Sequence, residues 1–192
     1  MLPDRYNRLG IDRPLRFVSY IESTGTQYID TGVAPDFAGG DSIRISFYRA
    51  NYTGSQPCVF GSRETGVKNG VYLLAVNGYV ADADGYSIVI SQITTGDHVM
   101  SSSDAAVTFD GTDFTMPRRV TCGLQIFLFA LNDGGVTYGI YSGMRLYDWK
   151  YYRSGVLAQH LVPALFQGVP GMWDTVSRTF YGNAGMGVFN YA

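Results

Sequence analysis

The sequence predicts an all-β protein in which two antiparallel sheets pack face to face, and three observations lead to this prediction. The 192 residues include 24 glycines, 15 tyrosines and 11 phenylalanines, a composition that suits strands joined by tight turns. Apolar residues recur at every second position in several segments, as they do in strands with one buried face. Pairs such as Asp110-Gly111, Ser154-Gly155 and Gly134-Gly135 separate the segments and are typical of turns. A chain of this length can form one such sandwich as a single domain.

The clearest strand signals lie in residues 42–48 and 146–151. In the first segment Ile43, Ile45 and Phe47 are expected to face the core, and the polar residues between them should meet water. In the second, Tyr147, Trp149 and Tyr151 are predicted to share one face. A hairpin is predicted at 169–181, with a polar link at 174–178. The other predicted strands are 15–21, 27–31, 58–61, 71–76, 87–93, 105–109, 118–121, 136–141 and 156–165.

Three further segments complete the interpretation of secondary structure. Residues 124–131, LQIFLFAL, are apolar on both faces and predict a single central strand covered on two sides. Residues 94–103 and 110–117 are rich in polar residues and predict loops. No segment predicts a helix.

Several short motifs recur in one family of domains. They are YIESTGTQYIDTG at 20–32, LYDW at 146–149, LVPA at 161–164, GMWD at 171–174, FYGNAGMG at 180–187 and, more weakly, FLFALN at 127–132. Together they resemble the concanavalin A-like (laminin-G-like) jelly-roll domains of gut bacteria and their phages. The resemblance, which covers nearly the whole chain from about Tyr20, implies a concanavalin A-like β-sandwich, predicted here over residues 15–192. The polar residues 1–14, with prolines that discourage a helix, predict a short extended arm before it. The matching residues are of strand and turn type, and variable ligand-facing loops are expected within 51–116.

Composition and charge limit the classes of partner and compartment. The formal net charge is −2, which does not favour nucleic acid or an acidic membrane surface as a partner. No stretch approaches the ~20 apolar residues of a membrane span, and the first residues contain no apolar signal-peptide core. Either an export signal has been removed, or the protein reaches its place of action without one, as a virion protein does. Cys58 and Cys122 are expected to be buried free thiols, with a single bridge as the alternative.

Motifs for enzymatic chemistry are weak in this chain. Hydrolases of this fold class use closely spaced carboxylates, and no Glu-x-Asp-x-x-Glu triplet occurs. Glu22 lies in the first predicted hairpin and is interpreted as structural. His98 and His160 lack the spacing of a metal pair or a triad, and His160 is interpreted as a hydrogen-bonded sheet residue. We therefore predict that the protein is not an enzyme.

The segment NGYVADADGY, residues 77–86, is the predicted ligand-binding loop. Tyrosine rings can pack on the C–H faces of sugars, while Asp and Asn hydrogen-bond to sugar hydroxyls. The candidate binding residues are Asn77, Tyr79, Asp82, Asp84 and Tyr86.

Two alternatives remain open for this loop. Asp82 and Asp84, which precede a glycine, could present carboxylates to one Ca²⁺, but the other ligands of a complete calcium loop are missing. An acidic turn that binds no metal is the favoured interpretation, and no cofactor is predicted. Tyr48, Tyr52 and Tyr138 lie near other loops and are further candidates, and packing across strands is the alternative for every such tyrosine.

The arm carries basic and aromatic residues that we predict to be an anchor: Arg5, Tyr6, Arg8 and Arg13. A loose chain end is the alternative. With the resemblance, this layout implies a non-catalytic decoration or adhesion protein at the virion surface. It would bind host-surface or mucosal glycans and contact other virion subunits and copies of itself. The alternatives are a purely structural interaction module and a lectin-like domain of a bacterial surface protein in an extracellular location.

Overall fold

Strand pairing dominates the structure, which is a computed structural model. It describes residues 15–51, 57–64, 70–75, 79–81, 87–90, 93–103, 106–115 and 121–192, with the backbone alone at 79–81 and 87–89. These residues form nineteen strands, and none of them lies in a helix. In chain order the strands are β1 (Leu15–Phe17), β2 (Ile21–Glu22), β3 (Ile29–Asp30), β4 (Ser42–Arg49), β5 (Cys58–Arg63), β6 (Gly70–Leu74), β7 (Tyr79–Ala81), β8 (Ser87–Val89), β9 (Gly96–Ser102), β10 (Ala106–Phe109), β11 (Thr112–Thr115), β12 (Phe127–Leu128), β13 (Leu131–Asp133), β14 (Val136–Tyr138), β15 (Arg145–Arg153), β16 (Val156–Phe166), β17 (Val169–Asp174), β18 (Thr179–Tyr181) and β19 (Asn190–Tyr191).

The strands form two sheets. In sheet A the order is β11-β10-β9-β4-β15-β16-β17-β18, with β1 paired to β16, β2 paired to β15, and β19 paired to β2. In sheet B the order is β14-β13-β5-β6-β7-β8, with β12 paired to both β3 and β5. These strands pair antiparallel except β13 with β5, which are parallel. The prediction of an all-β fold with two stacked sheets is confirmed.

The core lies between the two sheets. Ile43, Ile45 and Phe47 of β4 are almost completely buried, as the alternation predicts. Trp149 of β15 is fully buried, and its ring centroid lies 5.6 Å from that of Phe60 in sheet B. Burying an aliphatic or aromatic side chain of this size contributes about 1.5–3 kcal/mol. The inward side of β4 and β15 therefore holds the sandwich together.

Tight turns occur where the sequence predicts them. Positive φ angles allow the mirror-image turns that match the twist of a two-stranded hairpin. They occur at Asp110-Gly111 (46° and 80°), Gly134-Gly135 (62° and 88°) and Ser154-Gly155 (46° and 81°). The predicted hairpin at 169–181 is also present, as β17 and β18.

Two predicted loops are wrong, because they contain strands. Residues 96–102 form β9, which pairs along the whole of β4, and 112–115 form β11. The inward side of β9 carries the polar residues His98 and Ser102. The segment therefore lacks the apolar residues at every second position that predict a strand. His98 Nδ1 lies 2.7 Å from Asp110 Oδ2, and Nε2 lies 2.8 Å from the carbonyl of Thr94. Because hydrogen bonds satisfy the ring, a histidine can occupy a core-facing position of this strand.

The predicted single strand at 124–131 is also wrong, although its burial is correct from Ile126 onwards. The chain forms β12 and then β13, and Phe129 between them has a φ of +67°. This left-handed conformation is rare for a bulky residue. It lets the chain change from antiparallel pairing with β5 through Leu128 to parallel pairing through Asn132.

A β-bulge interrupts the predicted alternation in β15. The register against β4 shifts between Leu146 and Asp148, so that one extra residue stands in β15. Trp149 and Tyr151 face the core as predicted, but Tyr147 does not join them, and Leu146 is buried instead. Bulges of this kind redirect a side chain at a defined point in a sheet.

An early and a late segment of the chain are in close contact. We call this contact the terminal clasp, and it is formed by residues 26–28 and 183–187. Asn183 Oδ1 accepts hydrogen bonds from the backbone N–H groups of Tyr28 (3.2 Å) and Gly185 (2.8 Å). Its Nδ2 donates to the carbonyl of Gly187 at 3.0 Å. A Cβ at Gly185 would lie 2.1 Å from the carbonyl oxygen of Thr26. The clasp therefore requires both the asparagine and the glycine.

Both cysteines are free thiols and both are buried. The free-thiol prediction is confirmed, and there is no bridge between Cys58 and Cys122. Burial raises the pKa of the Cys58 thiol well above its usual range, so the side chain behaves as a small apolar core residue.

We expect Asn183→Ala to lower the free energy of unfolding by about 2 kcal/mol, because two backbone donors and one acceptor lose their partner. Chemical denaturation measures the change. Asn51→Ala, at an exposed position, is the control and should stay within about 0.5 kcal/mol of the parent. Equal stability of the two variants would show that the clasp contributes nothing.

Candidate functional site

Most of the predicted loop at 77–86 lies outside the described residues. Its residues 79–81 are described, as backbone, and the loop prediction is wrong there, because they form β7 between β6 and β8 of sheet B. Of the candidate binding residues only Tyr79 is among them. The residues outside the described part of the chain are Asn77, Asp82, Asp84, Tyr86 and, in the predicted arm, Arg5, Tyr6, Arg8 and Arg13. The loop site, its calcium alternative and the arm therefore stay predictions.

A row of polar side chains crosses the solvent side of sheet A. Strand register sets the row, because directly paired residues project to the same side of a sheet. Their core-facing neighbours Phe47 and Leu146 are fully buried, so the row lies on the outer face. We call this set the Arg145 row; from β9 to β19 it contains Asp97, Tyr48, Arg145, Glu22 and Asn190.

Arg145 is the centre of this row. Its Nε donates to Glu22 Oε2 at 2.7 Å, and this hydrogen bond raises the pKa of the guanidinium further above its ordinary value. The guanidinium carbon lies 4.6 Å from the ring centroid of Tyr20 and 5.1 Å from that of Tyr48. Cation–π attraction therefore holds the arginine between two tyrosines. The arginine side chain is still 38% exposed, so the group is open to a ligand.

Tyr147 completes the cluster from the bulge in β15. Its hydroxyl donates to Asp97 Oδ1 at 2.7 Å, and its ring stands edge-on to Tyr20 with centroids 6.3 Å apart. Burial raises the pKa of the Tyr147 phenol to about 12, and the hydrogen bond to Asp97 adds to the increase. We call Tyr20, Tyr48, Tyr147 and Arg145 the tyrosine–arginine platform.

The platform has the chemistry of a binding surface. Aromatic rings offer apolar faces with polar tips, and the guanidinium offers several N–H donors. The nearby carboxylates of Glu22 and Asp97 accept hydrogen bonds from hydroxyls. They lie on β2 and β9, whose backbones stand three strand spacings apart, about 14 Å. The pair is therefore suited to holding a hydroxyl-rich ligand at two separate points.

His160 lies on the same outer face and is hydrogen-bonded through both ring nitrogens. Nε2 is 2.6 Å from Asp148 Oδ1, and Nδ1 is 3.1 Å from the hydroxyl of Thr175. The prediction of a hydrogen-bonded sheet histidine is confirmed. Among the residues with described positions, no group of three or more His, Cys, Asp or Glu side chains could hold a metal ion. Nor does that part of the chain contain a helix long and apolar enough to cross a membrane.

The platform includes one residue that the sequence marked and several that it did not. Tyr48 was a candidate, and it stands in phase with the water-facing positions of β4. Arg145, Tyr20 and Tyr147 were not candidates, since nothing local in the sequence shows that they meet. Glu22, interpreted as structural, does form a structural ion pair, but it also borders the platform.

Of the other tyrosine candidates near loops, Tyr138 does not reach this surface. Tyr138 lies in β14 of the other sheet and is 41% exposed. Tyr52 lies outside the described residues.

A scan of the sequence against protein-family models finds no match, and a search against curated proteins finds none either.

We expect Asp97→Asn to lower the pKa of the Tyr147 phenol from about 12 toward, but not to, its ordinary value of 10.0, because burial is the larger cause of the increase. NMR titration of protein labelled at the tyrosine Cζ carbons measures the change, and Tyr147→Phe assigns the resonance. An unchanged pKa in the Asp97 variant would contradict the hydrogen bond.

Proposed function

We propose that this protein is a non-catalytic adhesion or decoration module whose concanavalin A-like jelly roll binds glycans of a host surface or mucosa. The two stacked sheets support the jelly roll. So does the position of two resembling motifs, because residues 20–32 and 180–187 contact each other in the terminal clasp. The jelly-roll family and the glycan are both parts of the proposal.

The tyrosine–arginine platform is the observation that carries the proposal. A pyranose ring presents a C–H face to an aromatic side chain and hydroxyls to its rim. Tyr48 and Tyr20 supply rings on either side of Arg145, and Glu22 and Asp97 supply acceptors at the two ends. Ion pairs and hydrogen bonds hold these groups before any ligand arrives, which lowers the entropy lost on binding.

A second surface supports attachment to a virion. It is an apolar patch on the outer face at the other end of sheet A, formed by residues of β1, β16, β17 and β18. Phe17 and Val169 are 57% and 52% exposed. The ring of Phe166 lies 6.0 Å from that of Trp173 and 5.4 Å from that of Phe180, between centroids.

Exposed aromatic surface of this kind is typical of contact sites between proteins. The predicted arm leads directly into β1 at this patch, so arm and patch could dock together on another virion subunit or a second copy of this chain. The same patch favours the main alternative, a purely structural interaction module that binds no glycan.

Glycan-array binding with matched tyrosine variants tests the adhesion proposal. We expect Tyr48→Ala to weaken binding by up to about tenfold, the usual worth of one aromatic contact. Tyr138→Ala, on sheet B, is the control and should bind like the parent. Binding lost equally in both variants, or no binding by the parent, would contradict the platform as the site.

Variants of the predicted loop at 77–86 are compared in the same experiment. Tyr79→Ala and Asp82→Ala change the predicted loop and leave every platform residue as it is in the parent. Weaker binding in these variants, with Tyr48→Ala unchanged, would move the site from the outer face of sheet A to the loop.

We expect deletion of residues 1–14 to leave the melting temperature nearly unchanged and to abolish incorporation into particles, because the arm precedes the first strand of the sandwich. Differential scanning calorimetry and particle assembly are the two measurements. A shortened protein that still assembles would contradict the anchoring role.

The genes beside this one distinguish a virion protein from the other alternative, a lectin-like domain of a bacterial surface protein.

A further inference from the structure

A second transverse row crosses the outer face of sheet A, parallel to the Arg145 row. Strand register again sets it, and we call it the Arg44 row. From β11 to β16 it contains Asp113, Thr108, Ser101, Arg44, Lys150 and His160. Neither row is a property of one segment, since each is assembled from strands that are distant in sequence.

Two cations face each other in this row. Arg44 of β4 and Lys150 of β15 are directly paired, and like charges at directly opposite positions destabilise a sheet. Asp148 lies 3.4 Å from the Lys150 ammonium and is also bonded to His160. Arg44 is exposed, and none of the described residues forms an ion pair with it. Within the described residues the charge of Arg44 is therefore not neutralised by a paired carboxylate.

An open cavity of about 200 Å³ lies beside Arg44. Serine residues of β4 and β9 line it, and the side-chain hydroxyls of Ser42 and Ser101 have no hydrogen-bond partner among the described residues. Both serines are half-buried, and their hydroxyls can donate hydrogen bonds to an anionic ligand in the cavity. The side chains that line the cavity include Arg44, Ser42, Ser101, Ser103, Thr108 and Tyr152.

We propose that this cavity binds an anionic group, a sulfate or a carboxylate carried by a sugar; the sugar part of this inference rests on the proposed adhesion function. The guanidinium of Arg44 supplies two parallel N–H donors, the geometry that matches two oxygens of an oxyanion. Ser42 and Ser101 donate hydroxyls to the same anion. The bound anion also relieves the repulsion between Arg44 and Lys150.

The cavity and the platform are placed to bind one ligand. Tyr48 and Arg44 stand on the same side of β4, four residues apart, which is about 13 Å along the strand. An oligosaccharide that lies along β4 can therefore stack on the platform and place a charged substituent in the cavity. This assigns the ligand class as an acidic glycan.

Titration of the full chain with sodium sulfate and with sodium acetate, followed by amide NMR, tests the cavity. Sodium chloride at matched ionic strength separates binding from screening. We expect saturable shifts at the amides of Arg44 and Ser101, and the stronger of the two salts identifies the anion. Arg44→Gln should weaken the effect by about tenfold or more. Arg178→Gln removes the same charge from the exposed β17–β18 link and should bind like the parent.

An experiment with charged and uncharged sugars links the cavity to the proposed function. Dextran sulfate carries sulfate esters on the same glucan backbone as dextran, so we expect the parent to prefer the sulfated form and Arg44→Gln to lose the preference. Sulfate binding that Arg44→Gln abolishes, in a protein that binds no glycan on an array, would support the cavity and overturn the adhesion proposal. Glycan binding without any effect of sulfate or acetate would overturn the proposal of an anion site in the cavity. Equal anion binding by Arg44→Gln and Arg178→Gln would also overturn it. Arg44→Lys keeps the charge without the paired donors and should fall between parent and Arg44→Gln.

Discussion

The pairing of β4 with β15 is the constraint on which both the core and the candidate site depend. On the inner side this register places Ile45 opposite Trp149, in contact with sheet B. On the outer side the same register places Tyr48 opposite Arg145, and Arg44 opposite Lys150. Because side chains alternate along a strand, a slip of one residue would exchange the two faces. The burial of the aromatic core therefore fixes the geometry of the polar surface, although the two surfaces share no side chains.

Two local features refine what this register provides. The bulge in β15 turns Tyr147 to the outer face, where its hydroxyl reaches Asp97 on β9. The terminal clasp holds together the segment that follows β2 and the segment that precedes β19, and these two strands pair with each other. These strands supply Glu22, the partner of Arg145, and Asn190. The clasp joins two of the motifs that resemble jelly-roll domains, 20–32 and 180–187, so one role of these two motifs in this chain is to position strands next to the platform.

The sequence predicted the fold better than the site, and the reasons are physical. Alternation in 42–48 identified a strand with one wet face, because apolar burial repeats with the period of the backbone. It failed at β9, where His98 is buried with hydrogen bonds to Asp110 and Thr94. It also failed at Tyr147, since one extra residue in a strand leaves no mark on composition. The platform joins residues that lie more than a hundred positions apart, and local patterns contain no information about such register.

The division of sheet A into a core face and a polar outer face has a consequence for protein engineering. Solvent-side positions such as Ser46 and Val99 are paired across β4 and β9 and lie between the two polar rows. Replacing them leaves the inner packing intact, in contrast to loop grafting, which alters chain connectivity. The solvent-side residues at alternate positions of four or five adjacent strands can thus be varied together, as a library of flat surfaces on one scaffold.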